Sequence, residues 1–158
     1  PLSQTDAPLD VGQWSAVVNR VFGGTQYEVC IEPGTFLVKN AGVLVLEANT
    51  VEIKSGQRFI GVNAGFDLAM EPAHYKLPCE PTPCVFEGQK DDYFAKKTLV
   101  PTTVAGNINE ALDVWNENLL FPEIKEAALI AFVNAGAYTT SMSSHHCMRG
   151  DFSEYLLL

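Results

Sequence analysis

A short turn in the first quarter of the chain carries side chains that could support chemistry. Glu32, Pro33, Gly34 and Thr35 follow a run that begins at Tyr27 and is rich in β-forming residues. A carboxylate at the end of a buried strand, followed by a glycine that lets backbone amides approach an anion, is typical of the active-site edge of α/β barrels. The same residues also form ordinary strand-ending turns. The motif alone leaves both interpretations open.

Two further segments place acidic side chains where they could line a pocket. Glu71 and Tyr75 follow a strand end that is rich in small residues, and Glu110 and Asp113 lie at the start of a predicted helix. Carboxylates in a shared pocket would favour a ligand with a cationic or neutral end. In the first turn of a helix, however, acidic residues are most often partners of the helix dipole.

The segment from Asn134 to Ser144 combines small residues with hydroxyl groups. Its backbone N–H groups around Gly136 and the hydroxyl of Tyr138 could bind a phosphate. The alternative is a simple turn.

The four cysteines do not form a recognisable framework. Cys79 and Cys84 could close a disulfide around a proline-rich loop, but the amino-terminal residues lack the features of a signal peptide, which favours free thiols. Cys147 follows His145 and His146, and the spacings match no standard zinc motif. The sequence therefore predicts no metal site, and the histidine pair is most simply a solvated loop.

The elements that must position these groups fall into two regions. Apolar residues at steps of three and four predict a helix from Asp10 to Phe22, with Asp10 as its N-cap and Gly23 at its end. A strand is predicted from Tyr27 to Glu32. Beyond it, short strands set off by turns are typical of an antiparallel sandwich or barrel. They are predicted at 35–38, 42–46, 50–53, 58–63, 85–87, 97–105 and 129–133, with a helix at 109–118.

Composition and charge limit the class of protein. A chain of 158 residues that is 47% hydrophobic and 18% charged can bury a core and is not intrinsically disordered. No apolar run approaches the roughly 20 residues that a membrane span requires. With 10 basic and 19 acidic residues the net charge is −9, which disfavours nucleic acid and anionic lipid as partners. We expect a cytoplasmic protein.

In their order along the chain, these motifs resemble the carboxyl-terminal part of the fold-type III pyridoxal-phosphate-dependent decarboxylases, the diaminopimelate and ornithine decarboxylase family. Residues 32–34 resemble the family's Glu-Pro-Gly-Arg motif, and residues 71–75 are similar to its Arg-Pro-Ala-Leu-Tyr motif. Residues 106–113 resemble its Gly-x-x-Cys-(Glu or Asp)-x-x-Asp loop, and residues 136–138 resemble the element whose tyrosine holds the cofactor phosphate. The resemblance implies pyridoxal 5'-phosphate as cofactor, with contacts from Glu32, Gly34, Thr35, Gly136 and Tyr138.

The resemblance also implies where an amino acid substrate would bind. The implied substrate contacts are Glu71, Tyr75, Asn109, Glu110 and Asp113, with Glu110 as the implied catalytic residue, and we add Cys147 as a further catalytic candidate. Decarboxylation leaves an electron pair on carbon, and the protonated pyridine ring of the cofactor is the group that delocalises it. A carboxylate at the ring nitrogen, which is Glu32 by resemblance, would keep that nitrogen protonated.

Three positions depart from the family pattern. Thr35 replaces the motif's arginine, which weakens anion binding at that corner. Glu71 replaces the arginine that holds the distal carboxylate in diaminopimelate decarboxylases, which disfavours diaminopimelate as the substrate. Asn109 replaces the cysteine associated with protonating the substrate carbon, and an amide is no general acid. Cys147, His74 or water could take over that step.

The resemblance divides the chain into two parts. Residues 1–34 would be the last helix and strand of an α/β barrel, and residues 35–158 a mainly β domain of antiparallel sandwich or barrel type. The cofactor lysine would lie on earlier barrel strands, so we expect this chain alone to be inactive, as a fragment or one half of a split enzyme. A homodimer with active sites at its interface is also implied. The expected function is decarboxylation of a diamino acid or a related precursor; the alternative is a non-catalytic β domain for binding or subunit assembly.

Overall fold

The computed structural model of the protein describes residues 7–78, 80–84 and 98–157. Its helices are α1 (Val11–Phe22), α2 (Met70–His74) and α3 (Tyr138–Ser141), with 3-10 turns at Lys39–Ala41 and His146–Met148. Its strands are β1 (Val43–Lys54), β2 (Gln57–Val62), β3 (Pro81–Pro83), β4 (Leu99–Ala105), β5 (Val114–Pro122) and β6 (Leu129–Val133). Among these described residues we find no helix with the length and apolar character needed to cross a membrane.

The six strands form one mixed sheet in the order β3-β6-β1-β2-β4-β5. β1 and β2 form a hairpin through Ser55 and Gly56, which both have positive φ, as a two-residue turn that matches the twist of the strands requires. The β2–β4 pair is parallel, whereas the four other pairs are antiparallel. The expected mainly β architecture is confirmed, but the sheet is not purely antiparallel.

The sheet curls around a single main core. Trp115 on β5 and Phe132 on β6 are separated by three strands in the sheet order, yet their ring centroids are 4.7 Å apart. Alternate residues of β2 and β6 point inward, as period-two strands with one buried face require. The result is barrel-like. Its most buried side chains are Leu46, Ala48, Ile60, Val62, Val104, Trp115, Phe121, Ile130 and Phe132.

The prediction of the first helix is confirmed almost to the residue. Asp10 caps α1 by accepting a hydrogen bond from the Gln13 backbone N–H at 3.0 Å. At the other end the Gly23 N–H donates to the carbonyl of Asn19 at 2.7 Å. Both signals are local, so the helix forms where the sequence indicates.

The segment between α1 and the sheet does not form the predicted strand. Residues 27–33 are exposed and belong to no strand ladder among the described residues. A strand needs a neighbour for its backbone N–H and C=O groups. Residues 35–38, also predicted as a strand, form a turn that leads into Lys39–Ala41.

The predicted helix at 109–118 is wrong. Turns continue through Asp113, and β5 begins at Val114. Trp115, whose apolar side chain suggested the helix, is buried in the sheet core instead.

The predicted strands at 42–46 and 50–53 are parts of the continuous β1, and those at 58–63 and 129–133 correspond to β2 and β6. The strand predicted at 97–105 corresponds to β4, although residue 97 lies outside the described residues. The strand predicted at 85–87 and the thiol at Cys79 also lie outside them.

Candidate active site

The hydroxyl of Tyr138 lies against the Glu-Pro-Gly turn. A Cβ added to Gly34 would lie 3.3 Å from the Tyr138 Oη and 3.7 Å from its Cε2. The ring of Tyr138 therefore packs across the bare face of Gly34, and a side chain at position 34 would crowd it. Glu32 is exposed two residues earlier, and Thr35, next in the chain, is half-buried.

Two glycines set the position of this tyrosine. A Cβ on Gly136 would lie 2.1 Å from the carbonyl oxygen of Val38, and a Cβ on Gly42 would lie 2.5 Å from the Gly136 Cα. The Gly136 N–H donates to the Lys39 carbonyl at 2.9 Å. Because no side chain separates the two backbones, the end of β6 is pressed onto the turn that follows Gly34, and α3 starts there at Tyr138.

The backbone of Gly136 is thus already used within the fold. Sequence reasoning placed this residue among the contacts of the cofactor phosphate. With its N–H bonded to Lys39, Gly136 contributes close packing and not a free amide donor. Gly136 affects the site by fixing the position of Tyr138.

The loop with Glu110 is held by a buried carboxylate. Asp113 is only 3% exposed, and its two oxygens accept hydrogen bonds from the backbone N–H groups of Phe66 at 2.8 Å and Ile108 at 2.7 Å. A Cβ on Gly106 would lie 2.2 Å from the same carboxylate. Burial raises the pKa of Asp113, although the two backbone hydrogen bonds oppose this shift. Both oxygens are buried and accept backbone hydrogen bonds, one from the loop itself and one from Phe66 on another segment, so Asp113 positions the loop and is not open to a substrate.

Glu110 meets a histidine and a thiol from another part of the chain. The Glu110 Oε1 lies 2.5 Å from the Nε2 of His146. Cys147 contributes a sulfur, and the three side chains each present one atom within 4.8 Å of the others. We call Glu110, His146 and Cys147 the His146 cluster. Asn109, beside Glu110, is exposed.

The chemistry of the His146 cluster could suit either a metal ion or proton transfer. Zinc accepts carboxylate, imidazole and thiolate ligands, but two atoms bound at about 2.0 Å in tetrahedral geometry lie roughly 3.3 Å apart. The Glu110–His146 separation is that of a hydrogen bond. As it stands, the cluster is a hydrogen-bonded acid–base group.

Glu71 and Tyr75 lie on a different surface. Glu71 is half-buried in α2, and Tyr75 follows the helix and is 58% exposed. Glu71 lines a shallow cleft together with Lys39 and Thr139. Neither Glu110 nor Asp113 lines this cleft, so the three carboxylates do not share one pocket within the described residues.

The structure therefore brings some predicted site residues together and separates others. Gly34 and Tyr138 meet with Gly136 as support, and Glu110 meets Cys147. Sequence reasoning missed His146, which it assigned to a solvated loop, and it missed Phe66. The ring of Phe66 contacts His146 at a centroid distance of 4.9 Å. The sequence did offer a hint of the role of His146, because this histidine directly precedes Cys147, a candidate catalytic residue. The partner of His146, however, is Glu110, which lies 36 residues away in the sequence.

Comparison with known proteins identifies the family. Residues 8–136 match the family described as the pyridoxal-dependent decarboxylase, C-terminal sheet domain. The chain belongs to this family. The match begins before α1 and ends at Gly136, so it includes the Glu-Pro-Gly turn and all six strands of this decarboxylase sheet domain.

Individual relatives agree with the family assignment. The chain is 31% identical to a diaminopimelate decarboxylase of Methanothermobacter thermautotrophicus, over 99% of its own length and 36% of the relative's. It is 30% identical to the diaminopimelate decarboxylase of Escherichia coli K12, over 99% of its length and 40% of the relative's. A crystal structure of diaminopimelate decarboxylase superimposes with a TM-score of 0.76 at 29% identity, covering 93% of this chain and 37% of that one. The chain thus spans less than half the length of these relatives.

Proposed function

We propose that the complete protein is a pyridoxal-phosphate-dependent amino acid decarboxylase and that this chain forms its C-terminal sheet domain. The observation that carries the proposal is the contact between the Tyr138 hydroxyl and Gly34. It joins two motifs about one hundred residues apart, both of which resemble cofactor-binding elements. The family match supports the same assignment.

The residues present fit one end of the cofactor. A phosphate is held by hydroxyl and amide donors, and a glycine allows it to approach the backbone closely. Tyr138 is 36% exposed, and its hydroxyl borders a glycine with no side chain to block access. We assign phosphate binding to Tyr138 and Gly34, with Thr35 beside them and Gly136 as support.

Glu32 is the residue we assign to the pyridine nitrogen. Its carboxylate is exposed and lies two residues before the glycine that borders Tyr138. When bound, the cofactor supplies a protonated ring that withdraws electrons from the substrate carbon. A carboxylate beside the ring nitrogen stabilises that protonated form. The role of Glu32 is therefore to hold a proton on the ring.

The missing part of the site must come from another protein segment. The large apolar residues of α1, Trp14, Val17, Val21 and Phe22, are 40–58% exposed, and no residue of the helix is buried. Since the relatives are more than twice as long, we propose that an α/β barrel ending near residue 34 covers this face. A homodimer with sites at its interface is part of the same proposal.

The substrate we propose has a cationic or neutral far end. Glu71 is the half-buried acid of α2, and Glu110 is exposed in its loop. A carboxylate repels a second carboxylate and attracts an ammonium group. Tyr75 follows α2, which carries Glu71, and Asn109 precedes Glu110 in its loop. Because Glu71 and Glu110 lie on different surfaces of this domain, we propose that the homodimer brings Glu71 and Tyr75 of one subunit to the same substrate as Asn109 and Glu110 of the other. Lysine, ornithine or a larger conjugated amino acid fits this charge better than diaminopimelate, the substrate named for the relatives.

Cofactor binding is tested on the complete protein by titrating pyridoxal phosphate and following visible absorbance. Tyr138→Phe should weaken cofactor binding by about tenfold, since a hydrogen bond to a charged group contributes about 1.5 kcal/mol or more. Tyr155→Phe, which alters a tyrosine that is 84% exposed and lies outside the segment assigned to the barrel, is the matched control and should leave the affinity unchanged.

Catalysis is tested by carbon dioxide release from lysine, ornithine and diaminopimelate. Glu32→Gln should retain the cofactor and lose about 100-fold or more in rate, because the ring loses the group that keeps it protonated. Glu117→Gln is its control, an exposed acid on β5. Glu71→Arg should shift the preference toward diaminopimelate.

Two results would contradict the proposal. A complete protein that binds no pyridoxal phosphate would leave the sheet domain as a binding or assembly module. A wild-type protein that decarboxylates diaminopimelate fastest would overturn the role given to Glu71.

A further inference from the structure

The reaction proposed above requires an acid that the loop at Asn109 does not provide. When a carboxylate leaves as carbon dioxide, the carbon keeps the electron pair and must gain a proton. Asn109 carries an amide, which has no proton to give at ordinary pH. Beside it, Glu110 is hydrogen-bonded to a histidine. The inference that follows rests on the proposed function and concerns the source of that proton.

The His146 cluster offers a thiol close to this loop. A sulfur, a ring nitrogen and a carboxylate oxygen of Cys147, His146 and Glu110 all lie within 4.8 Å of one another. The side chains of Glu110 and His146 are 40% and 41% exposed, and Cys147 is exposed. The group is therefore open to a substrate, unlike a buried structural contact.

Both halves of the cluster are fixed to one segment of the fold. The Phe66 N–H is bonded to Asp113 on the loop of Glu110, and the Phe66 ring packs on His146 at 4.9 Å. The Ser144 N–H donates to the Asp67 carbonyl at 2.7 Å, two residues before the histidine. The loops meet at residues 66–67, so their relative position does not depend on the exposed side chains alone.

The backbone at the thiol also departs from ordinary geometry. Cys147 and Met148 have φ angles of 55° and 51°, in the left-handed region that residues with side chains seldom adopt. Such conformations are strained and occur often at functional sites. Here they turn the chain directly after His146 and keep the cysteine in the cluster.

We propose that Cys147 donates the proton to the substrate carbon, with His146 as a positioning residue that links the thiol to Glu110. In this step the carbon–carboxylate bond breaks and carbon dioxide leaves. The S–H bond of Cys147 breaks, a new C–H bond forms, and the thiolate regains its proton from water through the His146 ring. The thiol that is missing at position 109 is thus supplied by a different loop, which meets Glu110.

The first test measures the thiol itself and does not depend on turnover. Iodoacetamide labelling of the complete protein, followed by mass spectrometry, gives separate alkylation rates for Cys147 and Cys30. His146→Ala should slow alkylation of Cys147 by about fivefold or more, because alkylation requires the thiol to lose its proton and the proposed step moves that proton through the His146 ring. Cys30 is remote in sequence from the cluster, so its rate should be the same in wild type and His146→Ala, and it serves as the internal reference. His145→Ala, which alters an 86% exposed ring paired with Asp151, is the matched control.

The second test follows the proton. In deuterium oxide, wild-type enzyme should place one deuterium on the reacting carbon in a single configuration. Cys147→Ala should lower kcat by about 100-fold, the lower range for loss of a general acid, and give deuterium in both configurations. Circular dichroism of each variant checks folding, and the labelling of His146→Ala remains informative if Cys147→Ala does not fold.

Three outcomes would overturn the inference. One is unchanged alkylation of Cys147 in His146→Ala. Another is a single deuterium configuration in the product of folded Cys147→Ala. The third is stoichiometric zinc that is lost with Cys147, because a metal-bound thiolate cannot donate a proton. Failure of the wild-type protein to release carbon dioxide from any amino acid is a separate result, which overturns the proposed function and with it this inference.

Discussion

The sheet and the amino-terminal segment contain similar apolar residues but use them differently. In the sheet, Ile60, Val104 and Ile130 are completely buried. In the segment from Val11 to Ile31, no residue is buried, and apolar side chains such as Val21 are more than half exposed. The two regions have similar apolar residues, yet the sheet buries them in a core of its own and the amino-terminal segment does not.

This difference shows which structures require a partner. α1 forms in full because its hydrogen bonds are internal and its caps are close in sequence. The run from Tyr27 to Glu32 stays outside any ladder of the described residues because strand hydrogen bonds come from neighbours. The pattern of apolar residues predicts which side chains a segment buries when all of its packing partners are present. It does not predict which side chains are buried in this chain alone.

The largest expected effect is in the sheet core. Phe132→Ala should lower the free energy of unfolding by about 3–5 kcal/mol, because it leaves a cavity beside Trp115. Urea denaturation measures this change. Ile53→Ala, at a side chain that is 75% exposed on β1, is the control and should change stability by less than about 0.5 kcal/mol. Equal effects at the two positions would contradict the division between core and surface.

The next effect concerns the buried carboxylate of the loop. Asp113→Asn should destabilise the fold by about 2–3 kcal/mol, because one of two buried N–H groups would face an amide donor in place of an acceptor. Asp151→Asn, at an exposed carboxylate, is the control.

The pH dependence of Asp113 has a defined sign. Burial raises the pKa of the folded carboxyl, so its contribution to stability is fully present below the ordinary aspartate pKa and is lost as pH rises through the raised value. The difference in unfolding free energy between wild type and Asp113→Asn should therefore be larger at about pH 4 than at about pH 7. A smaller difference at the acidic pH would show that the sign is wrong.

A smaller effect is expected at α1, where a substitution tests whether a barrel covers the apolar face of the helix. Trp14 is 40% exposed here. In the complete protein Trp14→Ser should cost about 1–2 kcal/mol of stability, since its remaining apolar area would be buried against the barrel. In the 158-residue chain alone the same change should have little effect. Gln13→Ala, one position away, is the control, and equal behaviour of Trp14→Ser in both contexts would argue against a covering barrel.

The smallest effect belongs to the helix cap. Asp10→Ala removes the acceptor for the Gln13 N–H and should destabilise α1 by about 0.5–1 kcal/mol. Faster amide hydrogen exchange at Gln13, with no change in the β1–β6 pair, is the expected readout. Asp10→Asn retains a capping oxygen and should behave like the wild type.

What the sequence predicted well was local or strongly patterned. The cap at Asp10 acts over three residues, and β6 alternates inward and outward side chains around Ile130. The resemblance at Glu32-Pro33-Gly34 also led to the correct family.

The errors have a common physical cause, which is contact between residues distant in sequence. Residues 109–118 looked helical because Leu112 and Trp115 are apolar at helical spacing, but Asp113 binds the Phe66 N–H from 47 residues away. No helix was predicted at α2, whose Pro72 lies in the first helical turn, where proline is tolerated. The role of His146 depends on Glu110, 36 residues earlier, which no local pattern shows.

The parallel pairing of β2 and β4 has an evolutionary consequence. Arg58 and Thr102 are ladder neighbours 44 residues apart in the chain, because a tight turn cannot join strands with that orientation. The intervening excursion carries Phe66 and Glu71, both next to candidate functional groups. The length and sequence of this segment can change without breaking the β2–β4 pairing. Among related proteins with different substrates, we therefore expect the sequence differences to be concentrated in this segment.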